Sequence, residues 1–208
     1  MTVGGPQRPR VEGTARLEAF SDGVIAIVVT LLVLELHLPE VAGHSNEAFL
    51  QAFGIVMPKF ISFAVSFAIV AIFWVNHHHF FSRVTHTDWK LLWLNNILLF
   101  FLAVTPFSTA VLGDHPLDAV PIAFYGLNLA LAGFAFSGMS RYVFYRGKLT
   151  ASTVTRGEMD SEWRRSIVGS SGFLAAVALG FVFPPAALAI FVIIPITFVV
   201  PALLGGDS

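Results

Sequence analysis

Residues 16–35 read RLEAFSDGVIAIVVTLLVLE, an apolar run with an acidic residue, Asp22, placed inside its start. Twelve uncharged residues follow from Gly23 to Leu34, and with their flanks they approach the ~20 residues that a helix needs to cross a bilayer. Asp22 lies about one helical turn inside this run, beside Ser21. An ionisable side chain at that depth is costly unless it is paired or hydrated, so Asp22 is a candidate functional residue.

The composition extends this interpretation to the whole chain. Hydrophobic residues make up 56% of the 208 residues, charged residues 12%, and the mean hydropathy is +0.77, outside the range of soluble globular domains. The sequence therefore predicts an all-α, polytopic membrane protein with six transmembrane helices. The predicted spans are Leu17–Leu38, Ala48–His77, Trp89–Leu112, Ala119–Tyr145, Arg165–Phe183 and Ala186–Leu204.

Basic residues predict the orientation of these spans. With the amino terminus inside, eleven of the twelve Lys and Arg residues fall on the cytoplasmic side and Lys59 alone falls outside, in agreement with the positive-inside rule. We expect both termini to be cytoplasmic, with tails at 1–15 and 205–208 around a six-helix transmembrane domain at 16–204. A polar connector at 146–164 contains Thr155 and Glu158 in the spacing of a capping box, which predicts a helix start.

Other function classes find little support in the sequence. The net charge of −1 gives no indication of a nucleic-acid partner, and the chain has no cysteine. It lacks phosphate-binding, nucleophile-elbow and zinc-protease motifs, so we do not expect an enzyme. Consecutive helical residues point about 100° apart, so His77, His78 and His79 do not face one ion together. We expect no cofactor and no resident metal.

Polar residues of the first three spans fall at similar depth. The first span starts at the cytoplasmic face, the second ends there and the third starts there again. Buried together, such side chains satisfy one another and fix the register of three helices. The residues are Arg16, Ser21, Asp22, Trp74, the histidines at 77–79, Trp93, Asn95 and Asn96.

A helical wheel gives the first span two different sides. At about 100° per residue, Leu31 and Leu34 fall within about 40° of Ile27, and Thr30 lies at the edge of this stripe. Asp22 falls roughly opposite. The wheel therefore predicts an aliphatic stripe on one side and an acidic side that faces the bundle, with Asp22 as a scaffold residue.

Three segments resemble those of the prokaryotic members of the transmembrane protein 175 family of potassium channels. The first is Arg16-x-x-x-Phe20-Ser21-Asp22, which opens the first span. The others are Phe73-Trp74-Val75-Asn76-His77-His78 at the end of the second span, and Leu94-Asn95 followed by Pro106-Phe107 in the third. The resemblance covers the first half of the chain closely and the second half in span number and apolar character.

This resemblance implies a homotetramer in the plasma (inner) membrane of a prokaryote, with the first helices lining a central pore for monovalent cations. It implies a hydrophobic constriction at Ile27, Leu31 and Leu34 in place of a carbonyl filter. Thr30 would supply a hydroxyl layer that contacts potassium in transit, with weak selectivity for potassium over sodium. The family's structural polar network maps onto Arg16, Phe20, Ser21, Asp22, Trp74, His77 and Asn95.

Two other hypotheses differ in class. A proton-coupled secondary transporter would use Asp22 and the histidines as a relay, but such proteins commonly show inverted repeats and paired broken helices, and we find neither in the sequence. A membrane scaffold would show no flux. The sequence leaves open the gating stimulus, the proton permeability, the direction of flux, the role of 146–164, and whether His77 or His78 joins the network.

Overall fold

The computed structural model contains six α-helices and describes residues 12–40, 45–147, 149–150 and 155–204. A π-helical turn, Tyr142–Gly147, continues the fourth helix. The prediction of six helices in this order is confirmed. Residues 1–11 of the predicted amino-terminal tail (1–15) and the whole predicted tail at 205–208 lie outside the described residues. The helices are α1 (Glu12–Val33), α2 (Asn46–Phe81), α3 (Trp89–Asp114), α4 (Ala119–Arg141), α5 (Arg156–Gly180) and α6 (Pro184–Leu204).

The first helix is displaced along the sequence from its predicted bounds. It begins at Glu12, within the stretch assigned to the amino-terminal tail, and ends at Val33 instead of Leu38. Two i to i+3 bonds tighten its end, from the amide of Leu34 to the carbonyl of Leu31 and from Leu36 to Val33. Pro39 disfavours helical geometry in the residue before it, so a helix up to the predicted end at Leu38 is disfavoured. Leu34 therefore follows the last residue of α1.

Three described helical segments are long and apolar enough to cross a membrane: Asn46–Phe81, Trp89–Asp114 and Ala119–Tyr145. The segment Pro184–Phe198 of α6 is apolar but shorter. Charged side chains lower the hydropathy of α1 and of the first half of α5. Length and composition thus support a membrane protein with three clear spans in the part of the chain that the structure describes.

The helices pack as two groups joined through α3 and α4. α1 packs against α2 and α3, whereas α5 packs against α4 and α6. One buried cluster, which includes Leu32, Phe80 and Leu98, fills the first group. A second cluster around Tyr125 and Phe191 fills the second group. This arrangement leaves one side of α1 outside the core.

Side chains cap the starts of α3 and α5. Asp88 accepts a hydrogen bond from the amide of Leu91 (2.8 Å) at the start of α3. The predicted capping box is confirmed at the start of α5, where Thr155 and Glu158 bond to each other's backbone amides. The bonds from Thr155 lower the pKa of the Glu158 carboxyl. α5 therefore begins nine residues before the predicted span at Arg165.

Close packing of α4 against α5 and α6 depends on glycine. A Cβ added at Gly126 would lie 2.8 Å from Val177 Cγ2 and 3.3 Å from the carbonyl oxygen of Phe173, whereas one at Gly138 meets nothing within 4 Å. We expect Gly126→Ala to lower stability by about 1–3 kcal/mol relative to Gly138→Ala, because the latter gains helix propensity without a clash. Thermal unfolding in detergent measures the difference. Equal midpoints for the two variants would contradict this packing.

Candidate functional site

The two sides of α1 differ in burial as the wheel predicts. Ser21, Ile25, Val28 and Leu32 are at most 2% exposed and face α2 and α3. On the opposite side, three aliphatic side chains are exposed although they are apolar. They are Ile27 (59% exposed), Leu31 (41%) and Leu34 (61%). The chain itself does not cover this aliphatic stripe.

Thr30 lies on the same exposed side, close to the aliphatic stripe. Its hydroxyl donates a hydrogen bond to the carbonyl oxygen of Ile27 (2.8 Å). A hydroxyl has one hydrogen and two acceptor lone pairs, so this bond leaves the lone pairs of the oxygen free to point away from the helix. A cation requires such an oxygen, and Thr30 presents one beside Ile27.

A buried hydrogen-bond chain connects the opposite side of α1 to α2 and α3. The side-chain amide of Asn95 donates to Ser21 Oγ (2.9 Å), and its Oδ1 lies 2.9 Å from His77 Nε2. Ser21 donates in turn to the carbonyl oxygen of Leu17 (2.8 Å). Ser21, His77 and Asn95 are each 0% exposed. A chain of this kind holds three helices in one register, because a slip leaves buried polar groups unpaired.

The direction of this chain assigns the proton on His77. Because Asn95 donates through Nδ2 to Ser21, its Oδ1 is left to accept from His77 Nε2. His77 therefore carries a proton on Nε2. Its Nδ1 is buried and finds no hydrogen-bond partner among the described residues.

Asp22 lies at the border between the two sides of α1. Its Oδ1 accepts a hydrogen bond from Trp74 Nε1 (3.0 Å), which joins α1 to α2 a second time. His78 is exposed, and its Nδ1 lies 3.7 Å from Glu18 Oε1. The histidine in the buried chain is therefore His77, a point that the sequence leaves open. Asn95 is likewise buried, whereas Asn96 is exposed.

Arg16 and Phe20 stand apart from these hydrogen bonds. Phe20 is 55% exposed, and the wheel angle of both residues places them on the side of the aliphatic stripe. Within the described residues, Arg16 forms no salt bridge. The structure thus brings together Ser21, Asp22, Trp74, His77 and Asn95, and leaves Arg16 and Phe20 on the uncovered side of α1.

A second buried polar cluster was missed by the sequence analysis. Tyr125 Oη lies 2.8 Å from Ser66 Oγ, and Thr109 donates to the same Ser66 oxygen (2.8 Å). Asn128 donates to Thr105 Oγ1 (3.2 Å), one residue before Pro106. These side chains link α2, α3 and α4 at a different depth from the hydrogen bonds of His77 and Asn95. The available signal was the recurrence of hydroxyl and amide residues at matched depth in three apolar spans.

The site offers little to a resident metal. No group of three or more His, Asp or Glu residues suited to a metal occurs in the described part of the chain. The three consecutive histidines face different surroundings, since His77 is buried while His78 and His79 are exposed. What the arrangement provides is an apolar face with one hydroxyl oxygen, supported from behind by buried hydrogen bonds.

Comparison with known proteins places this architecture in a family. Residues 16–106 match the family model described as "Endosomal/lysosomal potassium channel TMEM175". The chain is 34% identical over 180 residues to a potassium channel of Chamaesiphon minutus, covering 85% of this chain and 88% of that protein. It is 31% identical over 186 residues to a potassium channel of a Chryseobacterium species, covering 89% and 92%.

A solved structure agrees over nearly the whole fold. The crystal structure of a lysosomal potassium-selective channel TMEM175 homolog from Chamaesiphon minutus superposes with a TM-score of 0.81 at 30% identity, covering 95% of this chain and all of that one. The match includes α4 to α6, which lie beyond the family model. The family is one of ion channels and not of enzymes. From sequence and fold together, this chain belongs to the TMEM175 family.

Proposed function

We propose that this chain assembles as a homotetramer around a central pore and conducts potassium with weak selectivity over sodium. The relatives named above as potassium channels support the permeant ion. The observation that carries the proposal is the uncovered aliphatic stripe of α1, which includes a cation-competent hydroxyl at Thr30. Four such faces around one axis give an apolar pore wall and remove the stripe from solvent.

The constriction in this proposal is hydrophobic. Rings of Ile27 and Leu31 are separated by four residues, about 6 Å along the axis at 1.5 Å per residue. Apolar rings of small radius gate by dewetting. Leu34 forms the outermost ring, at the tightened turn that follows α1. An ion crosses these rings only by shedding part of its hydration shell.

Selectivity in such a pore is weak because no array of carbonyls replaces the lost water. Potassium holds its hydration shell less tightly than sodium, so partial dehydration favours potassium modestly. A ring of four Thr30 hydroxyl oxygens next to Ile27 then coordinates a partly stripped ion for a short time. The gain per oxygen is smaller than in a carbonyl filter, which surrounds the ion completely.

In this proposal, the buried hydrogen bonds of Ser21, His77 and Asn95 act as the scaffold of the pore. They fix the rotation of α1, so that Ile27 faces the axis and not α2 or α3. Asp22 serves the same purpose through Trp74 at the edge of the interface. Arg16 and Phe20, on the uncovered side, line the cytoplasmic entrance.

We further propose that all six helices span a prokaryotic plasma membrane with both termini in the cytoplasm. The distribution of Lys and Arg supports this orientation. Lys59, the exception on the outer side, forms an ion pair with Asp114, which compensates its charge. α1 crosses the membrane in spite of Glu18 and Asp22 because these carboxylates face His78 and Trp74 of α2.

Cation uptake into liposomes tests the proposal. Purified protein is reconstituted, and potassium uptake is compared with that of sodium and of N-methylglucamine, an organic cation too large for the constriction. We expect uptake in the order potassium, sodium, N-methylglucamine, and unitary current steps in planar bilayers. A folded tetramer without flux, or flux without unitary steps, would contradict a channel and favour a scaffold or a coupled carrier.

Thr30→Val separates the hydroxyl layer from the apolar rings. The substitution keeps the shape of the side chain and removes the oxygen, so we expect the permeability ratio of potassium to sodium to fall by about two- to fivefold, or roughly 0.4–1 kcal/mol. Reversal potentials measure the ratio. Thr197→Val on α6 is the matched control, because Thr197 is exposed and makes the same bond to the carbonyl three residues earlier (2.7 Å). An equal ratio in both variants would remove Thr30 from the filter.

A further inference from the structure

A cleft of about 170 Å³ is lined by α2, α4, α5 and α6 in the half of the bundle that contains the end of α2. Its walls are apolar and largely aromatic, and include Phe73, Phe136, Phe173 and Ile194. Its other end is polar, with Asn76, His79 and Arg165. Neither the aliphatic stripe of α1 nor the buried hydrogen bonds of the candidate site belong to it. The cleft is thus a separate amphipathic space.

The cleft has the length of one leaflet of a bilayer. Ile69 and His79 mark its two ends on α2, and ten residues of helix span about 15 Å. This length is half of the ~30 Å hydrocarbon core. An apolar cavity of about 150 Å³ is large enough to hold a benzene molecule, so the cleft has room for a stretch of acyl chain. With its polar end among the headgroups, a cleft of this length reaches towards the membrane midplane.

The polar end of the cleft favours an anion. Glu162 lines it, but this carboxylate is paired with Arg83. No described carboxylate forms a salt bridge with Arg165, whose guanidinium lies 6.0 Å from the ring of Phe198. A guanidinium binds phosphate oxygens through two parallel hydrogen bonds. His79 adds a ring nitrogen on the opposite wall.

We propose that this cleft binds a membrane phospholipid with an anionic headgroup, whose phosphate contacts Arg165 and one of whose acyl chains lies along the aromatic wall. Such a molecule fits three features of the cleft: the positive charge at one end, the apolar walls, and a length equal to one leaflet of a bilayer. The proposal rests on the location of the chain in a membrane and not on ion conduction. A failure of the flux experiment therefore leaves it standing.

Native mass spectrometry of the full-length protein tests this proposal. The delipidated protein in detergent is titrated with phosphatidylglycerol or with phosphatidylcholine of the same acyl chains. We expect phosphatidylglycerol to bind at least about tenfold more tightly, since both lipids offer a phosphate to Arg165 but only phosphatidylcholine brings a cationic group beside that guanidinium. Arg165→Gln should reduce this preference to about twofold. Arg156→Gln, an exposed position on the same helix outside the cleft, removes the same charge and should retain it.

A second pair of variants tests the apolar wall. Ile72→Trp fills the cleft and should abolish binding of both lipids, whereas Ile55→Trp on the exposed outer part of α2 should leave binding unchanged. Equal affinity of the unsubstituted protein for the two lipids would overturn the proposal. An equal loss of the preference for phosphatidylglycerol in Arg165→Gln and Arg156→Gln would also overturn it. Retained binding in Ile72→Trp would also overturn it. If a second copy of the chain fills the cleft, the wild-type tetramer will bind no lipid there, and this result too would overturn the proposal.

Discussion

Potassium uptake by liposomes that contain the Ile27→Asn protein is expected to exceed uptake by the unsubstituted protein by roughly tenfold or more. Ile27 is 59% exposed on the uncovered side of α1, so four copies form the innermost apolar ring of the proposed pore. An apolar ring excludes water, and an ion must cross the dry gap with an incomplete shell. Four amides in its place hold water. A barrier lower by about 1.4 kcal/mol raises the rate tenfold.

The same substitution elsewhere supplies the control for a leak. Ile55→Asn places an asparagine at an exposed position near the outer end of α2, where polar side chains reach the interface. We expect its uptake to equal that of the unsubstituted protein. Sodium uptake should rise with potassium uptake in Ile27→Asn, because the barrier is removed for both ions. Unchanged current in this variant would show that the constriction lies elsewhere, and equal increases in both variants would indicate a damaged fold.

Much of this architecture could be predicted from sequence because it depends on local patterns. Apolar runs of membrane length gave six helices in the observed order, and the wheel placed Ile27 and Asp22 on different sides of α1. These predictions rest on periodicity, because exposed and buried positions follow the helical repeat regardless of which surface the helix packs against. Matching the depths of residues in consecutive antiparallel spans placed the histidines near Asn95, and the structure selects His77.

Other features depended on information that local patterns do not contain. The end of α1 at Val33 lies inside an apolar run that continues to Leu34, and hydropathy alone does not mark where a helix tightens and ends. Ser66 and Thr109 gave an ambiguous signal although they recur at matched depth, because single hydroxyls in apolar helices bond to their own backbone as readily as to a neighbour. The amphipathic cleft depends on how α2, α4, α5 and α6 pack around one space, which is a property of the tertiary structure.

Asn95→Leu is expected to lower the melting temperature of the protein by roughly 3–10 °C and to reduce the tetramer fraction. Asn95 is the central member of the buried chain, since its two side-chain atoms bond to His77 and to Ser21. Leucine has a similar size but neither donates nor accepts, so both partners stay buried without their bond. Two lost interhelical bonds amount to about 1–4 kcal/mol, and a chain of this length loses about 2–4 °C per kcal/mol.

Asn96→Leu is a stringent control because it makes the same change one residue along the same helix. Asn96 is exposed, and no hydrogen bond of its side chain occurs among the described residues, so we expect its melting temperature to shift by less than about 2 °C. Fluorescence-detected size-exclusion chromatography after heating reports both the folded and the tetrameric fractions. A stable Asn95→Leu tetramer with normal open probability would show that α1 is oriented by packing alone. In that case the aliphatic stripe would face the axis without help from the buried hydrogen bonds.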